Sequence, residues 1–133
     1  MIDGIYQHEG EEFHSEFLKA GGGIFEINIA KAYTIDSLSD LIRHFEITDN
    51  GVILEDQFRF TDNKKHDITE RFVSVIKPEI KNGKVIIGNL TLKCAYTPEI
   101  HYEELPSHGV KKNVLYFTDF KSDKDFKIEF KYS

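Results

Sequence analysis

The sequence predicts an all-β protein: an antiparallel β-sandwich of roughly eight to nine strands, formed by residues 1–133 as a single domain. Three observations carry this. Short apolar runs recur along the chain, most of them with every second residue apolar, the period of a half-buried strand. Turn signals separate them: Gly21-Gly22-Gly23, Asp49-Asn50-Gly51 and Asn82-Gly83. A chain of 133 residues suits one domain that buries roughly two thirds of its unfolded surface. It needs no disulfide staples, and its one cysteine excludes an internal disulfide.

In chain order, residues 24–30 (IFEINIA) put Phe25, Ile27 and Ile29 on one face. Residues 37–46 (SLSDLIRHFE) are ambiguous. Leu38, Leu41, Ile42 and Phe45 have helical spacing, and Ser37 with Asp40 matches a capping box. The same residues allow a strand from Leu41 to Ile47, and the periodicity alone favours the helix. Residues 52–60 (VILEDQFRF) gather Val52, Leu54, Phe58 and Phe60 on one face, with Asp56 as the exception.

The stretch DITERFVSVIKPEI (67–80) opens with the polar residues of a helix start, Asp67, Thr69 and Glu70. It continues with the bulky run Phe72, Val73, Val75 and Ile76, which suits a strand, and closes at Pro78, which holds Lys77 extended. Apolar on both faces, residues 68–76 read as an interior strand ending at a proline corner. KVIIG (84–88), LTLKCAY (90–96), EIHYEEL (99–105) and NVLYFTDF (113–120) follow. Ser107-His108-Gly109 sits in a longer loop. The final DFKIEFKYS alternates most cleanly, with Phe126, Ile128, Phe130 and Tyr132 against Lys127, Glu129 and Lys131.

Composition excludes several classes. Net charge is −6, and Lys64-Lys65 and Lys111-Lys112 are short and offset by acids, so nucleic acid is not an expected partner. The same balance argues against this chain alone being the main cleft for an acidic polymer. No apolar run approaches the ~18 residues of a membrane span, so no membrane partner is expected. The acidic start MIDGIYQHEGEEF has no apolar segment of a secretory signal. A cytoplasmic protein and an exported parent chain are both compatible with that.

Candidate chemistry is sparse. His8 and His14 flank Glu9, Glu11 and Glu12, but zincin histidines must stand four apart to share a helix face. On a strand these two lie about 20 Å apart, so a solvated acidic edge is the reading and no metal is assigned. His101 and His108 could meet across a loop but have only Glu103 and Glu104 as co-ligands. His44 and His66 are isolated and read as surface residues. Cys94 shares a face with Leu90 and Leu92 and reads as a small buried hydrophobe. No nucleophile elbow or phosphate loop is present, since Gly21–Gly23 leads into Ile24. No Trp is available as a sugar platform. Tyr102 and Tyr116 could serve, but their apolar strand settings favour buried or half-buried packing.

Three segments, in order, resemble the C-terminal β-sandwich of heparinase II/III-family polysaccharide lyases. DGIYQHEGEEFHSE (3–16) is similar to that family's "dG..Q..G..f.a" passage. Residues 28–60 resemble its "AY", Arg-containing strand, turn and "l.D.f.f" strand. ITERFVSVIKPEIKNGKVIIGNLTL (68–92) resembles its "iterfvs..kP.i..g.v.i" strand pair. The likeness spans nearly the whole chain. It implies a strand carrying Arg43, with at most a helical turn near residues 36–40, against the helical periodicity.

It also implies a function. These lyases cleave uronic-acid-containing polysaccharide by β-elimination. The reaction needs a neutralised carboxylate, a base for the C5 proton and an acid for the leaving oxygen. The family's catalytic Tyr and His residues lie in domains upstream of the "dG..Q" passage, so no catalytic residue and no cofactor are assigned here. Tyr6, Gln7 and His8 are the substrate-proximal candidates, because the chain leaves the catalytic β motif there. The expected partners are the catalytic domains of the parent polypeptide and, through the parent enzyme, an acidic polysaccharide. The alternative is a self-standing, non-catalytic β-sandwich that binds a carbohydrate or protein, with only architecture in common.

Overall fold

A computed structural model describes residues 1–106 and 113–133. His108, with the loop Ser107-His108-Gly109, and Lys111-Lys112 lie outside these residues. Eleven strands and one short 3-10 turn make up the regular structure of the described residues. The strands are β1 (Glu16–Gly21), β2 (Ile24–Asn28), β3 (Leu38–Thr48), β4 (Gly51–Phe60), β5 (Ile68–Ser74) and β6 (Glu79–Lys81). They continue with β7 (Lys84–Ile87), β8 (Leu90–Cys94), β9 (Pro98–Leu105), β10 (Asn113–Ser122) and β11 (Phe126–Tyr132). They form two antiparallel sheets, the long one in the order β1-β2-β3-β4-β11-β8-β7-β6 and the short one β5-β10-β9. This is an all-β sandwich, with β1 and β6 beyond the strands anticipated from sequence.

Local chemistry sets the hairpins. Gly22 and Gly23, with φ of 61° and 78°, form the two-residue turn between β1 and β2. Positive φ at both positions matches the right-handed strand twist. Asn82 and Gly83 (φ 50° and 73°) do the same between β6 and β7.

The helical periodicity over 37–46 is overturned, and a β-bulge explains it. Leu38 pairs with Phe60, but the register then slips, so that Asp40 pairs with Arg59 and Leu41 with Phe58. One extra residue on β3 puts Leu38 and Leu41, three apart, on the same inward face. Ser37 and Asp40 form no capping box. The Ser37 carbonyl accepts from the Thr61 amide, and Asp40 Oδ1 accepts from Asn28 Nδ2 at 2.9 Å.

The expectation of an interior strand at 68–76 is also corrected. β5 ends at Ser74 and is an edge of the short sheet. Ile68 and Phe72 point inward, while Val73, Val75 and Ile76 are exposed.

The core lies between the sheets. Ile68 and Phe120 of the short sheet meet Val85, Leu92, Phe126 and Ile128 of the long one. Burial of each such side chain contributes about 1.5–3 kcal/mol. A second cluster, under the N-terminal segment, joins Ile2, Ile29, Ala30, Leu38 and Leu41. Cys94 is half-buried against the first cluster, and burial pushes its thiol pKa up. The outward face of the long sheet is polar: Glu26 pairs with His44 at 2.7 Å, and Lys127 with Glu55 at 3.2 Å.

Candidate functional site

Two charged clusters stand out, one buried and one on the surface. The buried one is built on β3, β4 and β5. Arg43 on β3 lies opposite Asp56 on β4. Its Nε donates to Oδ1 at 2.8 Å and its Nη2 to Oδ2 at 2.5 Å. Glu70 on β5 reaches down from the other sheet to accept from Nη2 at 3.3 Å. Asp56 has no exposed surface, and the Glu70 and Arg43 side chains are largely covered.

Two carboxyl groups and one guanidinium in a dry space cannot all be charged at low cost. Burial, and the hydrogen bond with Asp56, push the Glu70 pKa up to about 8. Burial and the nearby Glu70 push the Tyr33 phenol to about 12. Such shifts mark functional sites, but they mark structural ion-pair networks equally. With Asp56 sealed from solvent, no substrate reaches the centre of this cluster.

The surface cluster sits on the outward face of the short sheet. Arg71 on β5 pairs in register with Asp119 on β10. Its Nε and Nη2 donate to the two Asp119 oxygens at 2.8 and 2.7 Å. Its Nη1 donates to the Tyr6 hydroxyl at 3.0 Å, and its guanidinium lies 5.1 Å from the centre of the Phe117 ring. His101 on β9 stacks on Phe117 at 5.1 Å, with Nδ1 3.9 Å from Asp119. The hydrogen bonds to Asp119 raise the Arg71 pKa further, so it stays a cation. Asp119 holds its N–H edge, and the Tyr6 and Phe117 ring centres lie 5.9 and 5.1 Å from the guanidinium, so this cation is already paired.

Of the three sequence candidates, only Tyr6 joins this cluster; its ring is largely exposed. Gln7 is exposed. His8 is tied elsewhere, its amide donating to the Ala32 carbonyl and its Nε2 sharing a 2.9 Å hydrogen bond with Thr34. Among the described residues, no group of three His, Cys, Asp or Glu side chains is placed to hold a metal.

His66 corrects the sequence reading. It is buried, stacks on Phe60 with centroids 3.7 Å apart, and bridges Asp3 (2.6 Å, Nδ1) and Asp62 (2.9 Å, Nε2). His44 is half-buried against Glu26. Tyr102 is 64% exposed, against the expectation of buried or half-buried packing, while its cross-strand partner Tyr116 is half-buried as expected. The signal for Arg71–Asp119 was available: a lone acid in an apolar strand, Asp56 or Asp119, points to an ion pair across a ladder. Its partner strand was not legible.

No protein-family model matches the chain, and no curated protein matches it.

Proposed function

We propose that this chain is the C-terminal accessory β-sandwich of a heparinase II/III-like polysaccharide lyase. The parent cleaves uronic-acid-containing polysaccharide by β-elimination, using catalytic residues upstream of this chain. The observation that carries the reading is the meeting of Arg43, Asp56 and Glu70 in one buried cluster. These charged residues come from two of the three separate segments that resemble the lyase domain. Their meeting supports the reading, because segments that resemble the lyase domain at separate places in the sequence come together in one structural contact. The surface cluster around Arg71 agrees, because its cation is already paired. Assays for unsaturated uronate products test the reading. The 133-residue chain should release none and the longer parent should release them, and robust elimination by the short chain would overturn it.

One observation favours the second reading, a self-standing sugar-binding sandwich. Tyr102 stands exposed with its ring 6.4 Å from that of Tyr116, beside a groove lined by Val75 and Leu105. Exposed tyrosines of this kind stack on sugar faces. Calorimetric binding of a neutral oligosaccharide by the isolated chain, lost in Tyr102→Ala, would favour it over the lyase reading.

A further inference from the structure

The two sheets are unequal, and the apolar face of the long one runs past the cover of the short one. Along one cross-strand row, Phe25 pairs with Phe45, Phe45 with Leu54 and Leu54 with Ile128. Phe25 is 40% exposed, Leu54 5% and Ile128 0%. Burial therefore fades as the row leaves the region beneath β5. Beyond it Phe17 stands 65% exposed, with its ring 6.1 Å from Phe25, and Ile47 on the same face is 70% exposed. A contiguous aromatic patch of this kind on a sheet interior marks a surface built to be covered.

β5 lies over a strand that carries this row: its Glu70 reaches Arg43, two residues before Phe45 on β3. Residues 1–3 already run antiparallel along its first part. Ile2 bridges Ile68, the Met1 nitrogen donates to the Thr69 carbonyl, the Thr69 amide to the Met1 carbonyl, and the Asp3 amide to the Asp67 carbonyl. In an antiparallel strand, amides and carbonyls of alternate residues point to the same edge. Those of Arg71 and Val73 thus point the same way as those of Thr69, and no backbone partner meets them among the described residues. Unpaired polar backbone beside an uncovered apolar floor is the arrangement that recruits a strand.

We propose that the open β5 edge and the Phe17–Phe25–Phe45 face together seat a fourth strand of the short sheet. The occupant is an extended segment of the parent polypeptide, antiparallel to β5 and in line with residues 1–3. Its residues opposite Glu70 and Phe72 point inward, as Ile2 does, so it carries apolar side chains at alternate positions. The identity of the occupant rests on the lyase reading above; the existence of the seat does not.

The test fuses Thr-Val-Thr-Val-Thr-Val directly before Met1, which turns the valines inward. The control, Val-Thr-Val-Thr-Val-Thr, has the same composition with every side chain on the opposite face. Amide hydrogen exchange at Arg71 and Val73, read by NMR, should slow at least tenfold in the first fusion and not in the control. The ring signals of Phe17 and Phe25 should shift with it. A Phe25→Lys change on the floor should abolish the protection. Equal protection in both fusions, or none in either, would overturn the proposal. So would concentration-dependent protection in the unfused chain, which would assign the edge to a second copy. Because the fused strand is synthetic, the result stands or falls independently of any assay for lyase activity.

Discussion

Arg43 and Asp56 face each other across the β3–β4 ladder in a two-point ion pair, and the Asp56 side chain has no contact with solvent. Glu70 joins them from the opposite sheet, so one charged contact ties the two layers together. Removing Asp56 leaves the largely covered Arg43 with one longer carboxyl contact, to Glu70 at 3.3 Å. Asp56→Ala should destabilise the fold, by less than the about 3–5 kcal/mol of a buried charge left wholly unpaired, read as a fall in the urea midpoint at unchanged slope. The paired change Arg43→Met with Asp56→Leu, which removes both charges, should cost less than Asp56→Ala alone.

Glu70 gives the fold a pH dependence of definite sign. Its ordinary value is 4.5, and burial with the Asp56 hydrogen bond lifts it to about 8 in the folded chain. Between these values the folded state holds a proton that the unfolded chain has lost, so stability falls as pH rises. The contribution is fully present below pH 4.5 and is lost by about pH 8. Urea midpoints measured across that range should decline, and Glu70→Gln should flatten the decline. A midpoint that rises with pH in the parent and is unchanged in the variant would contradict it.

His66 clasps the N-terminal segment to the loop before β5. Both of its ring nitrogens face carboxylate oxygens, Asp3 on one side and Asp62 on the other. Only the doubly protonated ring donates to both. The hydrogen bonds to Asp62 and Asp3 raise its pKa above 6.5. The clasp is therefore complete below pH 6.5 and lost as pH rises through the folded value. An NMR titration should place His66 above 6.5 in the folded chain, and Asp3→Asn should lower it. Exchange of the Asp3 amide, which bonds the Asp67 carbonyl, should quicken in the same variant.

Gly51 opens β4 where that strand meets β11. A Cβ there would lie 1.7 Å from the Phe130 carbonyl oxygen. Backbone cannot step aside as a flexible side chain can, so Gly51→Ala should separate the central β4–β11 pair. The expected loss is about 3 kcal/mol or more, seen as a lower melting temperature together with faster exchange at the amides of Phe130 and Ile128.

Strand alternation made most of the fold legible. The pattern Phe126, Ile128 and Phe130 in the last segment states its own inward face, and Phe126 and Ile128 are buried. The Asn82-Gly83 and glycine turns state theirs. What failed had local causes. A bulge beside Leu38 made strand spacing look helical. Val73, Val75 and Ile76 made β5 look interior, because a side chain's type does not reveal whether another strand lies beside it. The pairings of His66 with Asp3 and of Arg71 with Asp119 were not legible because the partners lie 63 and 48 residues away. Tyr6 gives no signal in the periodicity, and its place beside Arg71 comes from a contact 65 residues away.

The most direct test of the lyase reading is the size of the native protein in its source cells, read with an antibody raised against this chain. A band several times larger than 15.4 kDa, from a protein that releases unsaturated uronate products, is the expected result. A band at 15.4 kDa in extracts protected from proteolysis would contradict it and leave a sandwich that works alone.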